Sequence, residues 1–141
     1  MIITKTPYRI SFFGGGTDYH TWYQEHGGMV LSTTINHYNY ITCRWLPQFH
    51  QGMKNRIVWD ELETPATFKN IRHNAIRTAL EYYKIHNGVE IINQCDLPSR
   101  AGLGSSSCFC AGLIKGLKAL IGEHIDKQNL ATETINLERN V

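Results

Sequence analysis

The feature that most constrains the fold is a predicted strand that leads through a glycine-rich turn directly into a helix. Apolar residues and flanking turn signals predict the strand over Val89–Cys95, and Pro98 follows it. The helix is indicated by an apolar stripe of Phe109, Leu113, Leu117 and Leu120. The connecting segment consists of Gly102, Leu103, Gly104, Ser105, Ser106 and Ser107. This succession of strand, glycine-rich turn and helix is the most informative segment of the chain.

The glycine-rich segment has the composition of an anion-binding site. Its two glycines let the backbone come close to a ligand, and the first-turn N–H groups of the helix point outward with the positive end of the helix dipole. The segment matches neither the P-loop nor the dinucleotide fingerprint, because no Lys follows Gly104 and Ser107 stands where the last glycine would be. A serine-capped core helix after a glycine turn explains the fragment equally well.

The remainder of the chain alternates strand and helix patterns without a repeat or a linker. Strands are expected at residues 2–13, in two segments between residues 29 and 46 joined near Asn36, and at residues 56–61. Helices are expected after a cap at Thr17 or Asp18, over residues 70–86, and after a cap at Asp126. This order predicts one α+β domain.

Composition excludes several classes of protein. A net charge of +2 without a basic run does not indicate a nucleic-acid partner. The four cysteines form no C-x-x-C pair and stand at no zinc-ligand spacing from a histidine, so we interpret them as reduced apolar residues. The N-terminus does not resemble a signal peptide, and no stretch is apolar enough for a bilayer span. We expect a cytoplasmic protein with no membrane partner.

Two segments carry a resemblance to a known family. Residues 98–107 closely resemble the phosphate-binding motif of the GHMP kinases, named for galactokinase, homoserine kinase, mevalonate kinase and phosphomevalonate kinase. Residues 6–19, which include Thr-Pro-Tyr-Arg and Gly-Gly-Gly-Thr-Asp-Tyr, resemble the N-terminal motif of the same family. The resemblance implies a ribosomal protein S5 domain 2-like fold, with residues 1–141 as the N-terminal ATP-binding domain.

The resemblance also implies the cofactors, ATP and Mg²⁺. The backbone from Gly102 to Ser107 would hold the ATP phosphates, and Ser106 and Glu138 would bind the metal ion. Arg9 matches an arginine beside the acceptor hydroxyl and is the expected catalytic residue. The alternative is a surface salt bridge for Arg9 and a solvated helix glutamate for Glu138.

The acceptor is expected to be a sugar or sugar phosphate bound by Gly15, Gly16, Thr17 and Asp18. Galactokinases carry a Glu-His pair where Gly15 and Gly16 stand, so galactose is disfavoured. The motif most resembles that of D-glycero-D-manno-heptose 7-phosphate kinases and fucokinases, which phosphorylate the anomeric hydroxyl. The alternatives are a fucose-type or mevalonate-type acceptor, or a tight glycine turn that binds nothing.

The family pattern also includes parts that this sequence lacks. A catalytic aspartate, a third motif and a C-terminal domain would follow Glu138 in the longer members. We therefore expect this polypeptide to be an N-terminal fragment with little kinase activity by itself. The alternatives from another class are a non-catalytic nucleotide-binding module and a non-catalytic anion-binding or interaction module on the same fold.

Overall fold

A computed structural model describes residues 1–47, 49, 55–86 and 88–140. Short 3-10 turns lie at Gly15–Asp18 and Phe68–Asn70. The strands are β1 (Ile2–Phe13), β2 (Leu31–Trp45), β3 (Arg56–Val58), β4 (Leu62–Glu63) and β5 (Val89–Cys95). The helices are α1 (His20–His26), α2 (Asn74–Tyr82), α3 (Ser105–Leu120) and α4 (Lys127–Arg139). None of these helices is long and apolar enough to cross a bilayer.

The strands form one mixed sheet in the order β1-β2-β5-β3-β4. Neighbouring strands are antiparallel except β3 and β5, which are parallel and are connected through α2. The chain therefore combines antiparallel strand pairs with one β-α-β unit. The predicted α+β class is confirmed.

Helix α3 lies unusually close to β1 and β2 because two glycines face the sheet. A Cβ atom at Gly112 would lie 2.9 Å from Thr6 Oγ1, and one at Gly116 would lie 3.0 Å from Cys43 Sγ. The hydroxyl of Thr4 also donates to the Gly112 carbonyl at 3.0 Å. Any side chain at these glycines would push the helix away from the sheet.

The core lies between the sheet and the helices. It buries apolar residues of β2, β3, β5 and all three longer helices, and α3 contributes the largest share. Its central members are Ile41, Ile57, Ile76, Leu80, Ile91, Leu113, Ile114 and Leu117.

Two expectations about the strands are wrong. Residues 31–45 form the single strand β2 instead of two strands joined near Asn36, because they pair with β1 and then β5 along their length. Strand β3 ends at Val58 instead of continuing to residue 61. Trp59 begins a turn, in which its backbone N–H donates to the Glu61 carbonyl. The strand over Val89–Cys95 is confirmed at both ends.

The helices were predicted with mixed success. Asp126 caps α4 as expected and accepts from Gln128 N and Asn129 N. The expected cap at Thr17 or Asp18 is wrong, because Tyr19 occupies the N-cap of α1. Helix α2 begins only after His73, whose Nδ1 accepts from the Ile76 amide. The helix ends at Tyr82 instead of His86, because Tyr83 already occupies its C-cap. The expected turn at residues 87–88 lies partly outside the described residues, which omit residue 87.

A buried carboxylate joins three strands of the sheet. Glu90 on β5 is 3% exposed and pairs with Arg44 on β2 and Arg56 on β3, the latter at 2.5 Å. The hydrogen bond from Arg44, aided by Arg56, holds the pKa of Glu90 below its usual value. The folded chain therefore binds fewer protons here than the unfolded chain as the pH falls.

We predict that Glu90→Gln lowers the free energy of unfolding by about 1–3 kcal/mol, because an amide cannot satisfy both guanidinium groups. The matched control is Glu61→Gln, which removes a half-exposed carboxylate paired with Arg72 and should change stability by about 0–1 kcal/mol. Urea denaturation at neutral pH measures both.

The contribution of Glu90 is complete above the ordinary carboxyl pKa and is lost as the pH falls through its lowered folded pKa. Glu90→Gln should therefore also flatten the decline in stability on acidification. Equal losses in the free energy of unfolding for Glu90→Gln and Glu61→Gln would contradict the prediction.

Candidate functional site

Strand β1 is hydrogen-bonded to the glycine-rich segment that precedes α3. The Arg9 amide donates to the Leu103 carbonyl at 3.1 Å, beside a shift in the β1–β2 register between Pro7 and Arg9. The neighbouring Tyr8 is 1% exposed and donates from its hydroxyl to the Leu97 carbonyl at 3.2 Å. The two sequence motifs, at residues 6–19 and 98–107, therefore meet at Arg9 and Leu103.

The first turn of α3 is arranged to receive an anion. Gly104 is its N-cap with φ 73°, and no side chain caps the helix. The first turn contains no acidic residue. The serines follow the cap instead of acting as one, so the capping alternative raised by the sequence is wrong. Uncapped N–H groups and the helix dipole favour a negatively charged ligand at this end.

The side chain of Arg9 lies against Gly104. A Cβ atom at Gly104 would stand 3.1 Å from Arg9 Cγ and 3.4 Å from Nε. The absence of a side chain at Gly104 thus allows the guanidinium group of Arg9 to approach the helix N-terminus. A positive charge at this point adds to the attraction for an anion.

The last turn of α4 brings a carboxylate to the same helix end. Ser107 donates from its hydroxyl to both carboxylate oxygens of Glu138, each at 3.0 Å. The expected metal ligand Ser106 instead has its hydroxyl beside the buried Cys110 thiol. Both Ser106 and Glu138 line one cleft, but the direct contact is between Ser107 and Glu138.

This cleft has a volume of about 710 Å³ and is lined by residues of α3, by Glu138 of α4 and by residues of the central strands β2 and β5. Its aromatic part contains His73, whose ring lies 5.0 Å from the Trp59 ring and 4.9 Å from the Phe109 ring, centre to centre. Burial lowers the pKa of His73, so the imidazole is uncharged at neutral pH. The lining also includes Asn39, Asp60, Asn93, Cys95, Ser99 and Arg100.

Sequence reasoning did not identify the aromatic part of the cleft. Trp59 follows β3, His73 precedes α2 and Phe109 belongs to α3, so they form no motif in the sequence. The β-α-β connection brings them together. Only a prediction that β3 pairs with β5 could have indicated that these three aromatic rings lie together.

The predicted acceptor residues lie in the turn between β1 and α1. Thr17 donates to the Gly14 carbonyl at 2.8 Å and accepts from the Met29 amide at 3.2 Å, so its hydroxyl holds the turn together. The space beside Gly15 and Gly16 is open, because a Cβ atom at either position would meet no close contact. Asp18 is exposed. Among the described residues, no hydrogen bond or ion pair joins this turn to the glycine-rich segment.

The described residues contain no cluster of three or more His, Cys, Asp or Glu side chains that would hold a metal ion by themselves. A cation at this site would depend on Glu138, serine hydroxyls and the ligand's own oxygen atoms. Magnesium commonly binds in this way, through one or two carboxylates and substrate phosphates.

Comparison with known proteins identifies the family. The model of the GHMP kinases N-terminal domain matches residues 70–141, half of the chain. The chain belongs to the GHMP kinase family. The α+β fold of this family's N-terminal domain is therefore confirmed, as is the recognition based on the two motifs.

Individual relatives match between two thirds and nearly all of the chain. A D-glycero-alpha-D-manno-heptose 7-phosphate kinase from Campylobacter jejuni subsp. jejuni is 26% identical, covering 98% of this chain and 43% of that protein. A 4-diphosphocytidyl-2-C-methyl-D-erythritol kinase from Syntrophotalea carbinolica is 29% identical over 66% of this chain and 33% of that protein. The chain spans less than half the length of these relatives.

Solved structures agree in fold. A D-glycero-D-manno-heptose 1-phosphate kinase from Bacteriodes thetaiotaomicron superposes with a TM-score of 0.80 at 20% identity, covering 99% of this chain and 48% of that one. A crystal structure of mevalonate kinase superposes with a TM-score of 0.73 at 18% identity, with coverage of 99% and 47%. At these identities the likeness establishes the GHMP fold alone.

We predict that Gly104→Ala destabilises this GHMP domain more than Gly102→Ala does. Both glycines have φ 73°, which costs a non-glycine residue about 1–2 kcal/mol, but only the Cβ at Gly104 would meet Arg9. Overpacking should add about 1 kcal/mol or more to the loss at Gly104. Chemical denaturation of the two variants measures the difference.

The double variant Arg9→Ala/Gly104→Ala separates contact from backbone strain. Removal of the Arg9 side chain should abolish the additional loss at Gly104, giving a coupling energy between the two positions. Additive effects would contradict the contact between Arg9 and Gly104.

Proposed function

We propose that the chain is the ATP-side part of a sugar kinase that phosphorylates the anomeric hydroxyl of D-glycero-D-manno-heptose 7-phosphate. The observation that carries this proposal is the position of Arg9 against Gly104 at the uncapped N-terminus of α3. This contact brings the guanidinium group of Arg9, from the motif at residues 6–19, next to the phosphate-binding motif at residues 98–107. The relative from Campylobacter jejuni, described as a heptose 7-phosphate kinase, supports this acceptor.

In this proposal the glycine-rich segment binds the phosphates of ATP. The N–H groups from Gly102 to Ser107 supply fixed donors, and no acidic residue in the first turn of α3 opposes a phosphate. Preorganised donors of this kind stabilise charge without reorganisation during transfer. The cleft beside Ser105 and Ser106 has the volume to receive the rest of the nucleotide.

The aromatic part of the cleft is proposed to receive the nucleotide base. Trp59, His73 and Phe109 provide ring faces and edges there, and an uncharged His73 adds no charge beside a neutral base. Apolar and aromatic lining with a few polar groups is typical of nucleotide-sized pockets.

Electrostatics supports a magnesium ion at Glu138. The carboxylate lies at the helix end where phosphate would bind, and two anions so close together repel unless a cation separates them. Glu138 and Ser106 are the proposed ligands, and Ser107 orients Glu138. The ion would neutralise charge on the transferred phosphoryl group.

On the acceptor side, Arg9 is proposed to stabilise negative charge beside the attacking hydroxyl. Asp18 is exposed and offers two oxygen atoms to sugar hydroxyls, while Gly15 and Gly16 leave space for a bulky, already phosphorylated sugar. Thr17 acts indirectly, because its hydroxyl is committed to the turn that presents Asp18.

Calorimetric titration with ATP in the presence and absence of Mg²⁺ tests the nucleotide site. Glu138→Gln should weaken Mg·ATP binding by about tenfold, or about 1.4 kcal/mol, and leave binding of metal-free ATP less affected. Ser106→Ala should act in the same direction, and Ser107→Ala more weakly.

Glu123→Gln is the control, because Glu123 is an exposed carboxylate that pairs with Lys118 and lies outside the cleft. If the wild-type chain does not bind Mg·ATP at all, the kinase proposal fails in favour of a non-catalytic anion-binding or interaction module.

Ligand-observed NMR with Mg²⁺ and a non-hydrolysable ATP analogue tests the acceptor. We expect heptose 7-phosphate to bind more tightly than galactose or mevalonate. Asp18→Asn should weaken that binding by about tenfold, because a charge-assisted hydrogen bond contributes roughly 1.5–3 kcal/mol. Glu25→Gln, on the adjacent helix α1, is the control. Preference for mevalonate, or no effect of Asp18→Asn, would contradict the proposed acceptor site.

A further inference from the structure

Cys95 differs from the other three cysteines in its position. It ends strand β5, is exposed and lines the cleft, whereas Cys43, Cys108 and Cys110 are buried. Burial raises the pKa of Cys43 and Cys110 to about 12 and that of Cys108 to about 11. These three thiols are therefore protonated and shielded at neutral pH, which leaves Cys95 as the accessible sulfur.

Two asparagine side chains that line the cleft contact the Cys95 sulfur. Asn39 Nδ2 donates to Cys95 Sγ at 3.2 Å and to Asn93 Oδ1 at 2.7 Å, and Asn93 Nδ2 donates to the same sulfur at 3.3 Å. These two hydrogen bonds fix the position of the sulfur.

The second observation is an unsatisfied acceptor on one of these two asparagines. Asn39 is 2% exposed and lines the cleft, yet its Oδ1 atom has no hydrogen-bond partner. A buried acceptor without a donor costs about 1–3 kcal/mol, and a ligand with an N–H or O–H group in the cleft can remove that cost after a small adjustment. An unsatisfied acceptor on Asn39 and the thiol of Cys95 therefore lie next to each other among the residues that line the cleft.

We propose that Cys95 is a thiol-modification site that regulates nucleotide binding in this cleft, so that modification by a small disulfide and occupancy by Mg·ATP exclude each other. This inference rests on the proposed function of the cleft as the nucleotide site. In the reaction, the Cys95 sulfur attacks one sulfur of the disulfide, a mixed disulfide forms and the original S–S bond breaks. The leaving thiol takes up the proton released by Cys95, and a thiol reductant reverses the modification.

Position explains why modification would block the nucleotide. Cys95 and Asn93 on β5 line the same cleft as Ser106 on α3 and Glu138 on α4, and together with Trp59 they also line a smaller pocket. Because Cys95 is exposed and lines the cleft, a group attached to its sulfur would compete with the nucleotide for the space of the cleft. A bound nucleotide equally covers the sulfur.

Dithiodipyridine is a suitable probe, because it is a neutral aromatic disulfide and the carboxylates of Asp60 and Glu138 line the cleft. Release of thiopyridone, followed by absorbance, counts the reacted thiols. The native chain should release one equivalent rapidly, and the chain in denaturant should release four, the number of cysteines in the sequence. Peptide mapping should locate the native reaction at Cys95.

Mg·ATP should slow this reaction at least tenfold, whereas Mg²⁺ alone should not. The modified chain should lose at least tenfold in Mg·ATP affinity by calorimetry and recover it after reduction. Cys95→Ser, compared with its own untreated baseline, should show no change in affinity after exposure to the probe.

The outcomes separate the two proposals. If the untreated chain binds Mg·ATP and the chain modified at Cys95 binds it equally well, the regulatory inference is wrong and the proposed function stands. Native reaction at a cysteine other than Cys95 also overturns the inference. If the untreated, reduced chain binds no Mg·ATP, the proposed function fails and the inference fails with it.

Discussion

The close packing of α3 against β1 and β2 is the constraint on which the rest of the structure depends. Gly112 and Gly116 let the helix lie against the sheet at distances that a side chain would prevent. Because α3 is rigid and begins at Ser105, fixing its position on β1 also fixes its N-terminus beside Arg9. The candidate site is thus a consequence of how the core packs, since displacement of α3 would separate the glycine-rich segment from β1.

The charges of the site come from elements that are far apart in the sequence. Arg9 on β1, the uncapped end of α3 and Glu138 on α4 converge on one region, where a phosphate and a divalent cation would balance one another. The next residue of α4, Arg139, donates to the Tyr23 hydroxyl on α1. The last turn of α4 thereby joins the phosphate side of the domain to the helix that follows the proposed acceptor turn.

Local signals predicted the elements whose structure is decided locally. The strand β5, the turn after it, the start of α3 and the Asp126 cap each depend on residues adjacent in the chain, and each was predicted correctly. Strand β2 was divided in the prediction because local patterning near Asn36 did not reveal pairing to β1 and β5. The cap of α1 was misassigned because the Thr17 hydroxyl bonds to Gly14 and Met29, a contact that depends on how the turn folds back.

By itself, the sequence determined the α+β class, the family resemblance and the two motifs that carry it, because glycine spacing and polar residue types are local properties. Only the tertiary structure decided that Glu138 pairs with Ser107 instead of Ser106, and that Trp59, His73 and Cys95 share a cleft. Those relationships depend on the angle at which α3 and α4 meet and on the parallel pairing of β3 with β5. Packing between elements distant in the chain sets both, and no local pattern of residues encodes it.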